Sequence, residues 1–398
     1  MTHRGRYKPL ILAILVLAAL GHGSIAWALE ATISARYRGD GQGRFENTTP
    51  QAGFCTRWPN SCLEVQTIGL PIEFTKTSIA WASDGRDQFF VQLPFSKTFN
   101  VSHAVTGETH ALTFEITHVS QRLSGGLETN PIFTQYMSGG CGYKQTYGSH
   151  GGFSQYLWTV KNPSNPSACY SSNPSSIVGL VTENEAREMG IVYNLKMPSA
   201  LKMKQGIYRG SIDFSVGPGG DFDFGNGVTH LNDTRLTLNF ELDVQHAFVL
   251  QFPPGSDRAV LEPPGGWQVW LGGRGRPPRV ERDIPFRIWS TGPFKVYKRC
   301  GTSLGSDKCG ILNRFYDTAA VDVSIDLPPE IHHQGKPVRR VDIPTGLRNA
   351  LSFEHWLAAG NRPANLHFEV SGNELNDLFA EPGSTFEGRV TLIFDSDL

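Results

Sequence analysis

The stretch that most constrains this 398-residue chain is its last one. In FEGRVTLIF the side chains of Phe386, Gly388, Val390, Leu392 and Phe394 fall on one face of an extended segment, and those of Glu387, Arg389 and Thr391 on the other. The alternation runs almost to the carboxylate, with only Asp395, Ser396 and Asp397 before Leu398. Chain ends of globular domains are commonly frayed and polar, so an apolar strand kept to the last residues implies that something holds it. Two readings follow: an ordinary edge strand of a β-sandwich, or a strand whose pairing partner belongs to another molecule.

At the other end, Arg4, Arg6 and Lys8 precede the apolar run Leu10 to Leu20, and Ala26-Trp27-Ala28 places alanine at the two positions a signal peptidase reads. Residues 1–28 are expected to be a secretory signal peptide. No later apolar run approaches the roughly 20 residues of a spanning helix, so a soluble protein outside the cytoplasm is expected. A formal charge of −1 gives no basic footprint for nucleic acid. The mature length exceeds one typical core and suggests two domains. Abundant Gly (43) and Pro (25) between short β-branched and aromatic runs favour an all-β fold of sandwiches.

The six cysteines form three sequence-local pairs, Cys55 with Cys62, Cys141 with Cys169 and Cys300 with Cys309. Six cysteines allow fifteen connectivities, and export makes disulfides the default. No CxxC spacing supports a zinc site.

Strands are expected throughout, among them Leu29 onward, Cys62 to Gln66, Tyr208 to Val216, Arg235 to Val244, Trp267 to Leu271 and Ile284 to Trp289. Ser138 to Gly152 and Asn162 to Ser176 read as long surface loops, and only Asn184 to Met189 as helical in the first half. Short helical turns are expected at Pro344 to Leu351 and Glu374 to Phe379. Asp243 to His246 join two strands without a turn dipeptide, which places a domain junction there: residues 29–245, then 246–398.

No GxSxG, HExxH or Walker loop occurs, so the motif-bearing hydrolases and nucleotide enzymes lose support, and no cofactor is implied. The loop Gly217 to Gly227 offers Asp221, Asp223 and Asn226 as oxygen ligands but lacks an EF-hand ladder; a tight turn is expected. His332 and His333 read as a solvated loop. Arg57 and Trp58 in the small cysteine loop, with Tyr143, Tyr147, Phe153 and Tyr156 nearby in sequence, are candidate receptor-binding residues, because rings and Gly/Ser make adaptable recognition surfaces. The plainer reading is that these rings cover the ends of the fold.

The closing strand, the cysteine pairs Cys55/Cys62 and Cys141/Cys169, and the strand Gly206-Ile207-Tyr208-Arg209-Gly210 occur in an order that resembles the class 5 chaperone–usher tip adhesins. That family includes the tip subunits of colonisation factor antigen fimbriae and cable pili. The resemblance implies an amino-terminal receptor-binding domain and a carboxy-terminal immunoglobulin-like pilin fold lacking its last strand. A periplasmic chaperone would pair beside Phe386 to Phe394 and anchor the carboxylate of Leu398, and a major pilin's extension would replace it at an outer-membrane usher. The family's adjacent receptor-site arginines are not reproduced, since this chain reads Gly217-Pro218-Gly219-Gly220 there; Arg36, Arg38, Arg44 and Arg57 are the alternative sources of positive charge. The resemblance thus implies a non-enzymatic subunit at a fimbrium tip that binds a host glycan or protein. The competing class is a self-contained secreted carbohydrate-binding or carbohydrate-active sandwich.

Overall fold

In LEATISARY the apolar residues recur at every second position, and the segment forms strand β1 (Leu29–Tyr37) with Ile33, Ala35 and Tyr37 buried. The structure, a computed structural model, describes residues 29–39, 42–125, 136–148, 152–171, 177–271, 273, 275–305, 307–355, 359–381 and 383–396. The expected signal peptide and Leu398 lie outside the described residues.

The strands that carry the first half are β2 (Lys97–His103), β3 (Thr109–Ser124), β4 (Cys141–Gly148), β5 (Phe153–Val160), β6 (Val181–Lys196), β7 (Gly206–Ser215) and β8 (Arg235–Val244). They belong to one twelve-stranded sheet in which β6, β3, β2, β7, β8 and β1 are successive neighbours, while β5 lies on β3 and β4 on β5. The sheet encloses one apolar core running from Ile33 on β1 to Val244 on β8. The last of these strands is bonded along both edges. β8 runs antiparallel to β7, from Ser215↔Arg235 to Gly206↔Val244, and parallel to β1, from Leu29↔Leu236 to Tyr37↔Val244.

After β8 the chain passes through Gln245, His246 and Ala247 into a second set of elements: β9 (Phe248–Gln251), α1 (Trp267–Leu271), β10 (Arg279–Ser290), β11 (Phe294–Cys300), β12 (Cys309–Leu312), β13 (Thr318–Asp326), β14 (Leu351–His355), β15 (Ala359–Ser371), α2 (Glu374–Leu378) and β16 (Val390–Asp395). One sheet has the order β9-β10-β15-β13-β12, and the other places β14, β11 and β16 side by side. The two sheets share a separate apolar core, from Val280 to Leu375. Its last strand is the outer strand of its sheet: β16 is bonded to β11, from Lys295↔Asp395 to Cys300↔Val390, and has no second strand neighbour among the described residues.

The passage between the halves is tightly keyed. His246 Nε2 lies 2.7 Å from the Met203 carbonyl, which makes it the protonated ring nitrogen, and the ring meets Tyr37 edge-on at 5.6 Å. Ala247 N–H donates to Thr291 Oγ1 at 2.9 Å, and a Cβ on Gly292 would come within 2.3 Å of the His246 ring, so only glycine fits there.

All three cysteine pairs are disulfides between sequence neighbours, Cys55–Cys62, Cys141–Cys169 and Cys300–Cys309. Several local expectations are corrected. Asn184 to Met189 is part of β6, not helix, because Thr182, Asn184 and Ala186 alternate inward while Glu183 and Glu185 face water; pairing on both edges overrides the helix-forming composition. Cys62 to Val65 is a turn, and the strand there begins at Gln66. Cys141 to Gly148, expected in a loop, pairs with β5 as β4. Trp267 to Leu271, expected as a strand, is the helix α1. His332 is buried on a short strand that pairs with β14, so it is not in a solvated loop.

Candidate functional site

The apolar face read from the closing sequence exists, and it is only partly covered. Val390, Leu392 and Phe394 point toward the second core but remain half-buried, where their counterparts on β1 are sealed. Opposite them stand Ile284 on β10, Leu366 and Phe368 on β15, Val321 on β13 and Ile311 on β12, and between the two walls lies an open cavity of about 580 Å³.

The opening has a backbone cause. β9 pairs with β10 only from Phe248↔Ser290 to Gln251↔Arg287. Straight continuation would set residue 257 against Glu281, yet the partner of Glu281 is Glu262, so five extra residues arch away from the sheet. The arch begins Phe252-Pro253-Pro254-Gly255, and proline has no N–H with which to continue a ladder. Phe252, Ala259 and Leu261 of this arch form the third wall of the cavity.

The two ends of the trough differ. Toward the first half it is filled by rings: Phe394 lies 6.5 Å from Phe248 and 5.9 Å from Phe286, and Phe248 lies 5.1 Å from Phe294. At the other end Glu387 exchanges two backbone hydrogen bonds with Leu312 of β12, at 2.8 and 2.9 Å, and Gly388 passes so close that a Cβ would sit 2.6 Å from the Gly310 carbonyl oxygen. Phe386 is half-buried just before this crossing. An unpaired strand edge beside an apolar trough is the geometry that accepts an added β-strand, backbone to backbone, with alternate side chains filling the trough. The residues that complete it from β10, β12, β13, β15 and the arch were missed by sequence reasoning. Their alternation marks them as core residues, but nothing in it says that they line an open cavity.

A second constellation lies on the first half. The Cys55–Cys62 loop packs Phe54 and both half-cystines onto Leu157 of β5 and Val192 of β6, on the sheet face turned away from the main core. From its tip Arg57 lies over the Tyr147 ring at 3.9 Å and the Phe153 ring at 5.0 Å, and its Nε donates to Gln155 Oε1 at 3.1 Å. Arg122 stacks on Phe153 at 4.0 Å and pairs with Glu188 at 2.7 Å. Arg57 itself makes no ion pair among the described residues, so its charge is directed outward from a fixed aromatic bed.

The sequence candidates separate accordingly. Arg57 and Tyr147 come together, joined by Phe153 and by Arg122 and Gln155, which the sequence did not single out. Tyr143 does not join them: it is 52% exposed, but a register shift in β4 between its pairings with Leu157 and Trp158 turns it to the opposite face from Tyr147. Trp58 is half-buried against the small core, not a free ring, and Tyr156 is fully buried in the main one. Arg36 and Arg38 are tied to Glu46 and Asp243, each at 2.8 Å. In the Gly217 to Gly227 loop, Asp221 accepts from Ser215 N–H and Oγ, and Asp223 forms a two-pronged pair with Arg86. Buried Lys76, held down to about 8 by burial, donates to the carbonyls of Arg86 and Asn226. The loop's oxygens are thus engaged in folding it, as a turn.

No protein-family model matches the sequence, and no curated protein matches it. Among solved structures the chain is similar to pilus tip adhesins and their chaperone complexes. It is similar to CfaE, the adhesive subunit of CFA/I fimbria of enterotoxigenic Escherichia coli, at 10% identity over 81% of both chains with a TM-score of 0.25. A chaperone–tip adhesin complex of CFA/I fimbriae biogenesis matches at 10% identity over 81% of this chain and 83% of that one, TM-score 0.24. The CsuC–CsuE chaperone–tip adhesion subunit complex from archaic chaperone–usher Csu pili of Acinetobacter baumannii matches at 9% identity over 92% and 99%, TM-score 0.22.

Proposed function

We propose that this chain is a non-catalytic pilus-tip adhesin, in which residues 29–245 bind a receptor and residues 246–398 form a pilin-like sandwich completed by a strand from another protein. The observation that carries the reading is the trough beside β16, open along an unpaired strand edge and lined by Ile284, Leu366, Val390 and Leu392. A strand seating roughly five apolar side chains there would contribute on the order of 8–15 kcal/mol before ordering costs, enough to decide whether this half folds stably. Such an edge left open invites aggregation, which is the physical need for a periplasmic chaperone strand during export. The strand of a major pilin subunit then takes its place at an outer-membrane usher, leaving the protein on the cell surface at the fimbrium tip. β1 is paired along its whole length with β8 in the first half's own sheet, so it is not itself a free donor strand. Arg57 and Tyr147 supply the receptor contact, with a host glycan or protein as ligand.

The test joins an alternating apolar strand to the carboxyl end of the mature protein through a flexible linker and compares thermal unfolding with that of the unmodified chain. A rise on the order of 10 °C is expected. Equal melting temperatures, with the added segment remaining protease-sensitive, would overturn the reading.

A further inference from the structure

The trough has one charged residue in its lining. Its strand walls are apolar, from Ile284 and Leu366 on one side to Val390 and Leu392 on the other, and among the described residues the arch after β9 supplies the exception, Asp257. The arch holds this residue in a turn of its own. Ser256 Oγ and Ser256 N–H both donate to the Pro253 carbonyl, at 2.7 and 3.3 Å, and Arg258 N–H donates to the Gly255 carbonyl at 3.4 Å. The same departure of the chain from its sheet that opens the trough therefore sets a carboxylate at its rim.

Asp257 differs from its neighbours in having no cation. On β10, β13 and β15, the wall opposite β16, every carboxylate has a partner: Glu281 lies 2.7 Å from Arg279, Asp322 3.5 Å from Lys308 and Glu369 3.5 Å from Arg340, while Asp283 and Asp326 flank the His367 ring at 2.7 and 3.4 Å. Asp257 makes no ion pair and no side-chain hydrogen bond among the described residues, and Arg258 beside it in sequence is not within ion-pair distance. The residue is exposed, so water solvates it. A strand laid along the trough removes part of that water, and a carboxylate that loses water without gaining a cation is destabilised.

We infer that the trough selects its occupant by charge as well as by apolar alternation: the strand that fills it carries a lysine or arginine abreast of the arch, whose charged head pairs with Asp257. The inference rests on the strand-acceptor reading above and names the chemistry of the partner segment. The aliphatic stem of either side chain lies on the apolar rim made by Phe252 and Leu261, while its head stays in water at the mouth. An acidic residue at that place faces Asp257 as a like charge, so one carboxylate admits one class of strand and opposes another. Apolar alternation, which many extended segments share, gives no such discrimination.

The experiment uses the full mature chain with a strand joined to its carboxyl end through a flexible linker. A parent strand of alternating apolar residues and threonine is compared with versions carrying lysine or glutamate at each position in turn, in the unaltered chain, in Asp257→Asn and in Asp257→Lys. At one position lysine is expected to raise the melting temperature above the parent's by about 3 °C, and glutamate to lower it by a similar amount. Asp257→Asn is expected to remove both shifts, Asp257→Lys to exchange them, and high salt to shrink them. The chain without an added strand should melt at the same temperature with Asp257→Asn, because the residue is exposed and unpaired. A stabilising parent strand with no position at which lysine exceeds it, or with a preference that survives Asp257→Asn, overturns the charge rule and leaves the acceptor reading standing. A parent strand without effect overturns both.

Discussion

The strands β8 and β16 each end one half of the molecule, and they are finished differently. β8 has β7 on one edge and β1 on the other, so the chain's first strand seals the core that its middle strand closes. Among the described residues β16 has β11 as its one strand neighbour, and beside it lies an open trough. The difference teaches what a neighbouring strand does to an alternating one in this protein. Ile33, Ala35 and Tyr37 show a sealed strand, with alternate side chains buried, whereas Val390 and Leu392, on a strand of the same alternation, are only half-buried.

The sharpest way to break the comparison is to remove the occupied strand. Deleting Leu29–Tyr37 should cost the first half more than about 5 kcal/mol and abolish its near-ultraviolet circular dichroism, and the LEATISARY peptide added in trans should restore part of it. A first half that still folds cooperatively without β1 would show that strand completion is not what stabilises it.

A matched pair of substitutions tests the two states next. Leu238→Asp, in the sealed core, should destabilise by about 4 kcal/mol in denaturant titration. Leu392→Asp should cost the lone chain only about 1 kcal/mol, because the side chain still touches water, while erasing the stabilisation gained from a linker-joined strand. Equal costs at both positions would mean that the trough is already filled.

The junction gives a smaller, pH-dependent effect. Burial holds His355 down to about 4, with the nearby His246 adding to the depression, and burial also lowers His246 itself, partly offset by its hydrogen bonds to Met203 and Thr291. No carboxylate is hydrogen-bonded to either ring among the described residues. The unfolded chain binds these protons near the ordinary value of about 6.5 and the folded chain does not, so stability is full above that pH and declines as pH falls toward 4. A loss on the order of 3 kcal/mol across that window is expected from the second half's melting curve. His355→Phe should flatten the slope, and an unchanged slope would place the titrating group elsewhere.

The smallest effect on folding belongs to the patch of Arg57 and Tyr147. Arg57→Gln should change stability by less than about 1 kcal/mol, because the guanidinium is exposed and held by cation–π contact and one hydrogen bond. If the first half is the adhesin, host-cell binding should fall at least tenfold with that substitution, and unchanged binding would move the receptor contact off this face.

Much of the fold was legible in residue order. Alternation of period two in LEATISARY, LTLNFELDV and RVTLIF marks strands that need one apolar face covered, and the three cysteine pairs close neighbouring segments. The errors arose where composition and context disagree: ENEAREM has helix-forming residues yet lies between two strands that supply its hydrogen bonds, and WQVWL has strand-forming residues yet follows a Pro-Gly arch and, among the described residues, pairs with no strand. Of the receptor candidates, Arg57 and Tyr147 meet because the disulfide loop folds onto the outer face of the sheet, while a single register shift removes Tyr143; neither event leaves a trace in the local sequence.

By itself, the sequence determined that the chain is built of strands and that its carboxyl end carries a one-sided apolar segment, because side-chain alternation is a local property. Only the tertiary structure decided that β8 is paired on both edges and β16, among the described residues, on one, because pairing depends on which distant strand occupies an edge. That occupancy is fixed by where β1 pairs and where the chain after β9 leaves its sheet.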